Sequence, residues 1–228
     1  MSDASPPRGT GSARDQDRCC TICAAQSRAA FDGLVRWQLR VVESESERAA
    51  FAAARGFCSF HMWLLKQIGD ALSLSIALAP VVDAWAEHAT RLIVEPPERA
   101  AACIEAALPR PDACSVCELE RATGPDQVRR VVESLGTPDG RQEFLRGPGL
   151  CLHHLVAVLH AGPASDAASF LLGDHVRRLQ DASRDLHEYA AKRDALRRDL
   201  LSENEQVAWH RALFLLAGAK TVRDAGSG

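Results

Sequence analysis

Six of the eight cysteines in this 228-residue chain fall into one pattern that is written twice. The first copy reads Cys20-Thr-Ile-Cys23 and then Gly56-Phe57-Cys58-Ser59-Phe60-His61, with 35 positions from Cys23 to Cys58. The second reads Cys114-Ser-Val-Cys117 and then Gly149-Leu150-Cys151-Leu152-His153-His154, with 34 positions from Cys117 to Cys151. Each copy is therefore C-x2-C, a long insert, and G-[FL]-C-x2-H. The likeness extends beyond the cysteines. Arg40-Val-Val-Glu-Ser44 recurs as Arg130-Val-Val-Glu-Ser134, and Phe51 and Phe144 each stand seven residues before the third cysteine. A constant offset of 93 then pairs His61 with His154, Gly69 with Gly162 and Leu78 with Leu171. A duplication explains this economically. The copies exceed the usual solenoid periods, which points to a pseudo-symmetric pair rather than an array.

On a helix, residues i and i+3 share a face. C-x2-C and C-x2-H at helix starts can each aim two ligand atoms at one point. Two such pairs make Cys3His, a closed tetrahedral set suited to Zn2+. A helix N-terminus also favours the thiolate that a metal requires. The expected sites are Cys20, Cys23, Cys58 and His61 in copy one, and Cys114, Cys117, Cys151 and His154 in copy two. A cross-copy set, such as Cys20 and Cys23 with Cys151 and His154, is compatible with the same pattern, but ligands within one copy need fewer assumptions. Each site would clip the start of the first long helix to the start of the third. Three cysteines and a histidine can also hold an iron–sulfur cluster, the alternative cofactor, although most cluster sites use other ligand sets. Four protein ligands leave no open position, so the sites read as structural rather than catalytic. Cys19, next to Cys20, lacks the i, i+3 spacing. Cys103 reads as a small core residue. His153 competes with His154, and the repeat alignment favours His154.

The rest of the chain narrows the choice of fold and role. Strand alternation is nearly absent, and apolar residues recur at three and four, which predicts an all-α fold. Phe31, Leu34, Val35, Leu39 and Val42 predict one apolar face on a helix over 22–43. Further helices are expected over 46–55, from Cys58 to about Ala79, and from Pro80 to a stop before Pro96-Pro97. In the second copy Gly124-Pro125 is expected to split the first helix, Pro138 to open a short one, and a long helix to follow Gly173. Ser202 and Glu205 fit a capping box for a last helix bearing Trp209, Leu213 and Leu216. The expected organisation is a disordered tail (1–18), two helical metal-binding repeats (19–96 and 97–200), a capped helix (201–218) and a frayed end (219–228).

The formal net charge of −3, with 27 basic and 30 acidic side chains, argues against a protein built to grip nucleic-acid phosphates. The first 18 residues lack the apolar core of a signal peptide. The most apolar stretch, 71–86, is broken by Ser73, Ser75, Pro80 and Asp83 and is too short to span a bilayer. The expected compartment is the cytoplasm, where cysteines stay reduced or bind metal. Phosphate-binding glycine loops and hydrolase motifs are absent.

The two C-x2-C … G-[FL]-C-x2-H units, with Trp209, Arg211, Ala212 and Leu213 downstream, resemble an uncharacterised group of bacterial cysteine-rich helical proteins. The matching residues are Cys20, Cys23, Gly56, Cys58 and His61, then Cys114, Cys117, Gly149, Cys151 and His154. The group often places Pro after the first cysteine of each pair, where this chain has Thr21 and Ser115. The resemblance implies the helical class and the ligand set, and no activity. The expected role is that of an adaptor, regulatory or accessory factor with a protein partner. The alternative is a redox protein, either an iron–sulfur electron carrier or a zinc-linked thiol switch.

Overall fold

Helix starts carry most of the local information in this chain. In the computed structural model, which describes residues 19–192, 200–208 and 211–213, ten α-helices follow one another and no strand occurs among the described residues. They are α1 (Thr21–Glu43), α2 (Glu45–Ala53), α3 (Ser59–Ile68), α4 (Ala71–Leu92), α5 (Pro97–Ala107), α6 (Ser115–Leu135), α7 (Pro138–Arg146), α8 (Leu152–His160), α9 (Ser165–Ala191) and α10 (Glu203–Gln206). A 3-10 turn, Pro111–Ala113, leads into α6. The expected tails at 1–18 and 219–228, as well as Trp209 and Leu216, lie outside the described residues.

Caps fix several boundaries. The Ser44 and Thr137 hydroxyls accept from the backbone N–H groups of Glu47 and Gly140 and open α2 and α7. Ser202 and Glu205 form the expected capping box at α10. Asp70 accepts from Leu72 and Ser73 and starts α4, so the helix expected from Cys58 to Ala79 is broken at Gly69-Asp70. Pro80 then lies inside α4 rather than at its start. Pro125 likewise lies inside an unbroken α6, and Gly173 inside α9, which begins eight residues earlier at Ser165. In each case a single breaker, costing roughly 1 kcal/mol for Gly or 3 kcal/mol for Pro, is outweighed by the packing of the whole element.

The described chain forms two units. Unit one holds residues 19–25 and 125–192 with the described part of 200–213; unit two holds 26–124. The units do not follow the sequence copies. Their boundaries fall inside α1 and inside α6, so the C-x2-C turn of each copy belongs to the unit built mainly from the other copy.

Each unit has its own core. In unit two, Ala30, Leu34, Trp37 and Val41 form the buried stripe of α1 and pack with Phe51, Phe57, Leu65, Ala77 and Val81. Trp37 lies on Phe51 and Phe57 with centroids 4.5 and 4.9 Å away. The face expected from Phe31, Leu39 and Val42 is instead exposed, because the true stripe is rotated onto the residues three and four apart from Leu34. In unit one, Ile22 packs with Leu135, Leu150, Leu155, Val158, Ala167 and Leu171. No described helix is long and apolar enough to cross a membrane.

Candidate metal centres

Four cysteines sit at the thresholds of four helices. The carbonyls of Cys20, Cys58, Cys114 and Cys151 accept from the N–H groups of Ala24, Met62, Glu118 and Leu155, the first i→i+4 bonds of α1, α3, α6 and α8. Cys23, His61, Cys117 and His154 lie three residues further on, on the same face. Before α3 and α8 the chain turns through Gly56 (φ 93°) and Gly149 (φ 82°). A side chain is strained in that region, and a Cβ on Gly149 would also stand 2.8 Å from Nε of Arg178.

These eight residues gather into two buried sets, Cys20, Cys23, Cys151 and His154 in unit one and Cys58, His61, Cys114 and Cys117 in unit two. All eight residues expected at the sites are thus gathered into such sets, but their pairing is crossed. Cys20 and Cys23 do not meet Cys58 and His61, and Cys114 and Cys117 do not meet Cys151 and His154. The reason lies in α1. Trp37 is fixed against Phe57, the neighbour of Cys58, and Cys23 is 14 residues back along the same helix. Ile22, the neighbour of Cys23, packs instead with Leu150, the neighbour of Cys151. The preference for short loops is weak by comparison. Loop closure grows only as the logarithm of length, so exchanging a separation of 35 for one of 128 costs about 1 kcal/mol.

The distances in both sets match a single tetrahedral ion. Sγ of Cys23 lies 3.8 Å from Sγ of Cys151, and Sγ of Cys58 lies 3.7 Å from Sγ of Cys117. Nδ1 of His154 is 3.4, 3.3 and 3.3 Å from the sulfurs of Cys20, Cys23 and Cys151. Nδ1 of His61 is 3.4, 3.6 and 3.3 Å from those of Cys58, Cys114 and Cys117. A tetrahedron with metal–sulfur bonds of about 2.3 Å and metal–nitrogen bonds of about 2.0 Å places sulfurs about 3.8 Å apart and sulfur and nitrogen about 3.5 Å apart. All ligand atoms of each set lie within 4.8 Å of one another.

Electrostatics divide the groups of the two sets. Hydrogen bonds from Cys151 and Cys23 hold the Cys20 thiol far below its ordinary value, at about 3, against the upward push of burial. At Cys114 burial also pushes up, but the hydrogen bond with His61 and backbone N–H groups bring it down to about 6. Cys117 is pushed up by burial and by the neighbouring Cys114 and Cys58 sulfurs. Burial favours neutral His61, yet the hydrogen bond with Cys114 and the nearby Glu120 carboxylate outweigh it and raise the imidazole to about 10. Sulfurs this close repel one another as thiolates, and a divalent cation at their centre relieves that repulsion.

Behind the two sets stand charged groups that no sequence motif marks. Glu120 is 2% exposed, and its Oε2 lies 3.4 Å from Nε2 of His61. Its signal was available: Cys114, Cys117 and Glu120 follow at intervals of three on one helix face. In unit one, buried Asp174 pairs with Arg177 and Arg178, and Arg178 also donates to the Leu145 carbonyl beside the Gly149 turn. Cys19 is buried, Cys103 is partly buried, and His153 is exposed on α8. No family model, curated protein or solved structure matches this chain.

Proposed function

We propose that the chain binds two Zn2+ ions, one in each Cys3His set, and that the ions are structural. The observation that carries this is the match of both sets to the dimensions of one tetrahedral ion. Irons in a cluster are bridged by sulfide, which spreads the protein ligands wider than a single ion does. The closed four-ligand set leaves no place for substrate, so zinc here holds helix starts together instead of activating water. On this reading the chain is an accessory or regulatory factor that acts through protein contacts. The eight cysteines, none joined in a disulfide, suit a reducing compartment such as the cytoplasm.

Metal analysis of protein purified without added metal, together with an absorption spectrum of the same sample, tests the proposal. Two zinc per chain and no visible colour are expected. Iron with sulfide and a broad visible band would overturn it in favour of an electron carrier.

A further inference from the structure

We propose that Glu120 is a positioning residue for metal, placed behind His61, and that it makes the two sites chemically unequal. This rests on the metal-binding role proposed above. His61 presents Nδ1 to three sulfurs and turns Nε2 to the Glu120 carboxylate at 3.4 Å. Both side chains are buried, at 0% and 2% exposure. A carboxylate this deep needs a cationic counterpart. Among the described residues its one ion-pair contact is His61, and its Oε1 is buried without a hydrogen-bond partner. Among the described residues neither Lys nor Arg pairs with it. A metal-bound imidazole would also serve as that counterpart: the ion would draw electron density through the ring and make the Nε2–H a stronger donor. The carboxylate in turn fixes the ring orientation and raises the basicity of Nδ1.

The second site lacks this device. His154 has no carboxylate within ion-pair distance among the described residues. The residue in copy one that corresponds to Glu120, six positions after the first cysteine, is the neutral Gln26. Its Nε2 donates to the main-chain carbonyl of Glu120 at 3.2 Å. With three thiolates and one carboxylate around a divalent ion, the unit-two site carries one more negative charge than its counterpart. Its ion should resist chelation through a group that never touches it.

The test is competition between zinc-loaded full-length protein and a chromophoric chelator, for wild type and Glu120→Gln. The expected result is a 10- to 100-fold weaker hold on one of two ions, with the other unchanged. In a Cys151→Ser background, which keeps only the unit-two site, Glu120→Gln should weaken the remaining ion by the same factor. The Nε2–H proton resonance of His61 in the zinc-loaded protein should move upfield in Glu120→Gln, a change that mere packing loss would not produce. Glu120→Leu should weaken zinc at least as much while leaving the helical content of the zinc-saturated protein intact. Unchanged retention of both ions, or equal weakening of both, would overturn the inference. A wild-type chain that binds no zinc would instead remove the metal-binding role itself.

Discussion

At the scale of single residues, the crossed pairing makes a sharp claim. Cys20→Ser and Cys151→Ser should empty the same site, as should Cys58→Ser and Cys114→Ser. The double variant Cys20→Ser/Cys151→Ser should therefore keep one zinc per chain, and Cys20→Ser/Cys58→Ser should keep none. Metal counting by mass spectrometry separates this from ligation within each copy, which predicts the opposite. His154→Ala should lose an ion while His153→Ala keeps both, since His153 is exposed and His154 is buried among three sulfurs. A pH effect belongs to His175, buried in unit one with Nε2 unpartnered among the described residues. Burial lowers its pKa below the ordinary 6.5. Between that lowered value and 6.5 the unfolded chain binds more protons than the folded one, so stability falls as pH drops below 6.5. Denaturation of the zinc-saturated protein at pH 7.5 and 5.5 should show a smaller difference for His175→Gln than for wild type. All eight residues of the two buried Cys/His sets were legible in the sequence because i, i+3 spacing at a helix start is a local property. Glu120 was legible by the same rule but stood among many surface acids, and only burial sets it apart.

At the scale of elements, sequence read the helices well and their interruptions poorly. α1, α2 and α7 begin within one residue of where spacing and caps place them, but breakers inside α4, α6 and α9 do not break them. A breaker is a local cost, and its outcome depends on contacts distant in sequence. The glycine turns before α3 and α8 differ in kind from those interior glycines. Gly149→Ala forces a side chain into positive φ and against Arg178. It should cost more than the roughly 1–2 kcal/mol of the backbone strain and weaken zinc in unit one. Gly162 also has positive φ (75°), but a Cβ there meets nothing within 4 Å. Gly162→Ala should lose only the strain term and keep its zinc, as thermal melting and metal counting would show. Thr137→Ala removes the α7 cap and should cost about 1 kcal/mol.

At the scale of the whole molecule, each unit has its own core and its own candidate ion. Emptying one site by Cys151→Ser should therefore raise amide exchange in α8 and α9 while α3 and α4 keep their protection, as hydrogen-exchange mass spectrometry can read segment by segment. What sequence could not decide was which pair of helix starts meets which. The difference in loop entropy is only about 1 kcal/mol, and the choice falls to the packing of α1, whose Trp37 is anchored among Phe51 and Phe57 while its Ile22 joins the core of Leu150 and Leu155. The crossing also sets an order in time. As the ribosome extends the chain, Cys58 and His61 emerge without a complement until Cys117 follows, 59 residues after Cys58. Cys20 and Cys23 are made first and matched last, since Cys23 waits 128 residues for Cys151 and three more for His154. The later unit to be finished thus holds the earlier pair, and until Cys151 is made those two thiols are open to any passing metal, oxidant or chaperone.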